Sequence, residues 1–267
     1  MLALKKLTFA PLFLIIFIIL IYQLTPLLKS YDFIFSLSLS TLIELIVIST
    51  LISLSSLFFA IFVSLSSDWK YVLPVGILAS LIPLFFLDIS LGLVFIVGIL
   101  VSLLITYLNL DNALKSYLTF QLSALLGPSI RHLSSFLILS FCLVYFLSAS
   151  KIVAQSGFQI PDSLIDTALK ISSPEQTNQT DITQLLQQTG SDIIKQTVQD
   201  QIQSFLKPYL GFIPAVLAVL LFLTLQSLTS IINLLIYPLL WLTFYILEKT
   251  GFIKFVVEQR PVKKMVV

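Results

Sequence analysis

Apolar residues in this chain run in long blocks, without the strict alternation of a strand or the single apolar stripe of a soluble helix. A helix needs about 20 apolar residues to cross roughly 30 Å of hydrocarbon. Five blocks are of that scale: 9–28, 41–65, 71–87, 89–108 and 133–148. A sixth, 212–247, holds 36 residues, about 54 Å as one helix at 1.5 Å per residue. It must tilt, project from the membrane, break at Pro238, or fold back near Gln226 to Ser230. Lipid offers the backbone no outside hydrogen-bond partner, so the pattern predicts an all-α polytopic transmembrane bundle of six spans.

Two stretches depart from that pattern. Over 112–126, Asn112, Ser116, Thr119 and Ser123 fall on one helical face, with Leu114, Tyr117, Leu118, Leu122 and Leu125 opposite. With Gly127-Pro128 as a stop, this predicts a helix lying in the cytoplasmic interface. From 150 to 211 the chain turns to Gln, Thr, Asp and Ser, and no span fits. One helix is expected over 162–171. A stronger one is expected over 191–207, where Ser191 is the N-cap and Ile194, Val198, Ile202, Phe205 and Leu206 repeat at helical spacing. The expected role of this loop is a polar cap, or a surface for a protein partner or self-association through 191–207. Asn178-Gln-Thr180 matches a glycosylation acceptor, a three-residue pattern too common to carry weight.

Composition sharpens the class. Hydrophobic residues make up 58% and charged residues 10%, against about one quarter charged in a soluble chain. Mean hydropathy is +1.05. A water-soluble enzyme, a disordered chain and a nucleic-acid binder are excluded by this balance, and a net charge of +2 implies no polyanionic partner. The bilayer is the expected partner.

The cations orient the bundle. With the N-terminus inside and 212–247 crossing once, Lys5, Lys6, Lys70, Lys115, Arg131, Lys249, Lys254, Arg260, Lys263 and Lys264 are cytoplasmic, ten against five outside. The loop at 150–211 is then exported, and the tail at 248–267 is basic and cytoplasmic. A rival with eight crossings lets 112–126 cross and splits the last run. It scores better by charge, with twelve cations inside, two outside and Lys115 buried. The amphipathic, four-turn character of 112–126 speaks against it. Lys5 and Lys6 precede a run too long for a signal-peptide core, so 9–28 is expected to stay as a span.

Candidate chemistry is sparse. Cys142 is the only cysteine, so neither an intrachain disulfide nor a cysteine metal site is possible. His132 is the only histidine and cannot make a metal cluster alone. Thr41 and Glu44 read as a capping box, the alternative for Glu44 being a carboxylate facing the bundle. Asp88 interrupts an uncharged stretch and reads as the cap of the following helix, or as a coupling group in a carrier. Ser49, Ser53, Ser56, Ala60 and Ser64 form one small-residue stripe, and Gly98, Ser102 and Thr106 another. Both are expected to pack helices closely, with Ser55 on a more tolerant face. Pro74 and Pro83 interrupt the third span, a feature of substrate sites in carriers.

No catalytic, cofactor-binding or metal motif stands in the sequence. The expected function is a non-catalytic component of a prokaryotic envelope acting through protein interactions. A transporter or channel subunit is the alternative, and an intramembrane enzyme the second alternative.

Overall fold

The computed structural model describes residues 6–30, 38–66, 68–116, 122–156 and 211–253. They form α1 (Phe9–Leu24, continued by a 3-10 turn over Pro26–Leu28), α2 (Leu39–Ser66), α3 (Trp69–Leu81, continued as a 3-10 helix over Ile82–Phe85), α4 (Ile89–Ser116), α5 (Leu122–Ser156) and α6 (Ile213–Lys249). The chain is an all-helical bundle, and among the described residues there is no strand. All but α3 are long and apolar enough to cross a membrane.

The third segment is short, yet it reaches the full depth of the bundle. Thirteen α-helical and four 3-10 residues give about 28 Å. Its start meets the start of α1, where the Lys6 ammonium lies 2.5 Å from the Asp68 carboxylate. Its finish meets the finish of α1, where Phe86 stands edge-on to Tyr22 with ring centroids 6.1 Å apart. Pro74 sits inside the helix and Pro83 in its 3-10 extension, so neither proline interrupts the segment, contrary to the expectation from sequence.

At the centre lies α2, which touches all five other helices. A helix apolar all round is suited to burial on every side. Ser49, Ser53, Ser56 and Ala60 are fully buried, as packing along a small-residue stripe requires. Ser55 is equally buried, so the expectation of a tolerant face there fails; the central position of α2 leaves it no open side at that depth. Ser134 of α5 donates to Ser56 across the interface at 3.0 Å. The Gly98 stripe also packs as expected. A Cβ at Gly98 would stand 2.8 Å from the Cβ of Ser140 on α5, and the Ser102 and Ser140 hydroxyls approach to 3.3 Å.

Several local expectations change. Asn112 and Ser116 belong to the last turns of α4, and Leu122 opens α5, while 117–121 lie outside the described residues. Gly127-Pro128 does not stop a helix, because Pro128 lies inside the 35-residue α5. The glycine is there for a neighbour: a Cβ on Gly127 would stand 2.7 Å from the Tyr237 ring of α6. The last run is one helix of 37 residues through Pro238, so the eight-crossing arrangement, which needs it folded back, is not adopted. The cap of α2 is Ser38, whose Oγ accepts from the Thr41 amide at 3.2 Å while its carbonyl accepts from Leu42. Thr41 therefore occupies the third helical position, and Glu44 is exposed. Residues 157–210, with the expected helices over 162–171 and 191–207, lie outside the described residues, as do 254–267 of the basic tail.

Candidate functional site at the charged end of the bundle

Where α1 ends, α4 begins and α5 ends, a pocket of about 480 Å3 opens at one end of the bundle. That volume falls within the range of ligand cavities, roughly 300–1,000 Å3. Three elements bring one charge each. Lys29 follows the 3-10 turn after α1, Asp88 precedes α4, and Lys151 stands on the last turns of α5. All three are exposed.

The walls are tied together by polar contacts. Buried Ser148 donates to the Leu28 carbonyl at 2.6 Å, which pins the 3-10 turn to α5. The Lys151 ammonium donates to Ser90 Oγ at 2.7 Å, which fixes α5 against the first turn of α4. Asp88 occupies the N-cap position, its carbonyl accepting from Gly92 at 2.8 Å. Its carboxylate makes no hydrogen bond or ion pair among the described residues, and the Lys29 ammonium makes none either. The expected side-chain cap is therefore not made: the Asp88 carbonyl accepts only the ordinary first bond of α4, and the carboxylate is left at the pocket.

A second set of polar groups lies inside the bundle. On α6, Thr229 Oγ1 and Asn233 Oδ1 are buried without a hydrogen-bond partner. Gln226 donates through Nε2 to Ser135 at 2.9 Å but leaves Oε1 unpaired. On α2, which touches α6, the hydroxyls of Ser49, Ser53 and Ser55 are also unpaired. Most helical serines and threonines here bond back to a carbonyl three or four residues earlier, as Thr106 does to Ser102 at 2.7 Å. Against that habit, Gln226, Thr229 and Asn233 fall on one face of α6 as a polar seam, while the unpaired serines of α2 lie on more than one face of that helix; these hydroxyls and amides carry no charge.

Other residues singled out by the sequence are scattered. His132 is exposed on α5, beside an Arg131 that donates to the Tyr237 hydroxyl at 2.6 Å. Cys142 is buried and forms no disulfide among the described residues. Among the described residues, no group of three metal-ligating side chains comes together. A further cavity of about 130 Å3, between α3 and α4, is lined almost wholly by apolar residues, including Trp69, Gly76, Leu103 and Tyr107.

Asp88 stands out in the sequence, whereas the two lysines that share its pocket do not. Lys29 and Lys151 are two of the five cations on the outer side of the charge count, and they lie 122 positions apart (151 − 29), a separation that no spacing rule joins. The α6 seam did leave a signal: Gln226, Thr229 and Asn233 recur at helical spacing inside an otherwise apolar run. No protein family, curated protein or solved structure matches this chain.

Proposed function

We propose that the chain is a non-catalytic, multi-pass component of a prokaryotic cytoplasmic membrane that acts by binding at the end of the bundle holding Lys29, Asp88 and Lys151. With both termini cytoplasmic, as the cation bias favours, this end is extracytoplasmic. One observation carries the reading. The pocket opens at the end of the bundle where α5 finishes and α6 starts, the points at which the chain leaves and re-enters the described residues around 157–210. Interaction with a protein partner through 191–207 belongs to the same reading.

A carrier is the second reading. It is favoured by the unpaired polar groups of α2 and α6, since carrier sites are built from polar groups inside the bundle.

Complementation of a deletion strain separates the two. If binding at the charged end is the function, Lys29→Gln and Lys151→Gln abolish rescue at normal membrane levels, while Thr229→Val and Asn233→Leu rescue. The reverse pattern moves the carrier ahead.

A further inference from the structure

We propose that the pocket at the charged end binds a phosphate ester carrying a primary ammonium group, the chemistry of a phosphoethanolamine head group. The assignment rests on the reading of that end as the binding end, and names what it binds.

The charge pattern selects the ligand. Lys29 and Lys151 offer two ammonium groups and Asp88 one carboxylate, a formal balance of +1 (2 − 1). A simple anion would meet the Asp88 carboxylate as well as the lysines, and a simple cation would meet two like charges. A ligand with both signs meets neither conflict when its phosphate faces the lysines and its ammonium faces Asp88. Both Lys29 and Asp88 are free for this, having no partner among the described residues. Lys151 is already oriented by Ser90 and retains two further N–H donors.

Size and position favour a phosphate ester over a small zwitterion such as an amino acid. About 480 Å3 is more than an amino acid fills, and the remaining wall mixes the apolar Leu28, Leu91 and Ile152 with the uncharged polar Thr25, Ser148 and Gln155. The three apolar residues lie on helices that continue down through the bundle, so an ester whose head sits between the charges can lay its glycerol and first methylenes against them. The pocket also lies at an end of the spans, the depth at which lipid head groups are found. The same head-group chemistry exists in free phosphoethanolamine.

The test is a native mass-spectrometry titration of the full chain in detergent. The probes are dihexanoyl phosphatidylethanolamine, dihexanoyl phosphatidylglycerol and free phosphoethanolamine. The wild type should bind the ethanolamine lipid about tenfold more tightly than the glycerol lipid, the factor expected for one charge-assisted hydrogen bond. Asp88→Asn should erase that preference, and Lys29→Gln should weaken both lipids by about tenfold. Glu44→Gln, an exposed carboxylate outside the pocket, should change nothing.

Free phosphoethanolamine binding as tightly as the lipid identifies a soluble ligand; binding only of the lipid form identifies a head group. Equal affinity of the wild type for the two lipids, no binding of any probe, or a preference that survives Asp88→Asn overturns the proposal. Should a variant fail to fold, the wild-type ratio alone decides. Because the titration reads binding and not rescue, its failure leaves the complementation result standing.

Discussion

At the end of the bundle where α1 and α3 begin, Lys6 and Asp68 meet at 2.5 Å, Lys115 and Asp111 pair along α4, and Arg131 donates to Tyr237. At the other end Lys29 and Asp88 have no partner among the described residues, and Lys151 bonds to a serine hydroxyl. Exposed ion pairs contribute little stability, typically about 0 to 1 kcal/mol, so the contrast says little about how tightly either end is held. It says which charges are already engaged. The first end pairs Lys6, Lys115 and Arg131 and leaves Lys70 exposed, lining neither cavity, whereas the second leaves both signs of charge around a cavity, and that is where a ligand can gain from binding.

The largest expected effect is one of sidedness. In a Cys142→Ala background, a cysteine replacing Gln155 at the pocket should react with a membrane-impermeant maleimide in intact cells. One replacing Lys115 at the opposite end should react only after the membrane is opened. Labelling in the opposite sense would invert the bundle and place the pocket in the cytoplasm.

Stability should also differ between the ends. Gly127→Ala forces the Tyr237 ring away from a 2.7 Å contact and should cost about 1 to 3 kcal/mol in thermal or denaturant unfolding in detergent. Gly211→Ala, with nothing within 4 Å of the added methyl, should stay within about 0.5 kcal/mol. Equal losses would mean that Tyr237 relaxes freely and that the paired end is no more constrained than the open one.

Smaller still is Tyr237→Phe, which removes the acceptor of Arg131 and should cost about 0.5 to 1.5 kcal/mol. At the pocket, Asp88→Asn should be silent in the same unfolding measurement. Asp88→Ala should be nearly silent as well, within about 0.5 kcal/mol, because the carboxylate accepts no backbone N–H and the carbonyl bond to Gly92 survives the change. A loss near 1 kcal/mol for alanine alone would show that the side chain caps α4 after all, and would weaken the contrast between the ends.

Hydropathy located the helices better than it bounded them. The block at 41–65 became Leu39–Ser66 and that at 71–87 became Trp69–Phe85, both within two residues at each end. The blocks at 89–108 and 133–148 grew to Ile89–Ser116 and Leu122–Ser156. A hydropathy run marks what matches lipid, but a helix continues past it as long as each added residue gains a backbone bond. The break expected at Gly127-Pro128 failed for a related reason. One proline removes a single donor, and packing against α6 holds α5 together across it.

The sequence by itself determined the class and scale of this protein. Long uncharged runs can satisfy their backbones in lipid only as helices, and that requirement is local to each run. Glycines and serines at helical spacing likewise announced where helices approach, since a missing side chain acts wherever the neighbour lies. Only the tertiary structure decided that α2 is central, which buried Ser55 along with the stripe beside it. It alone brought Lys29, Asp88 and Lys151 from three elements to one pocket. Burial and charge clustering depend on which helices become neighbours, and in a bundle of similarly apolar helices that choice rests on side-chain fit between distant residues, which no single run of sequence contains.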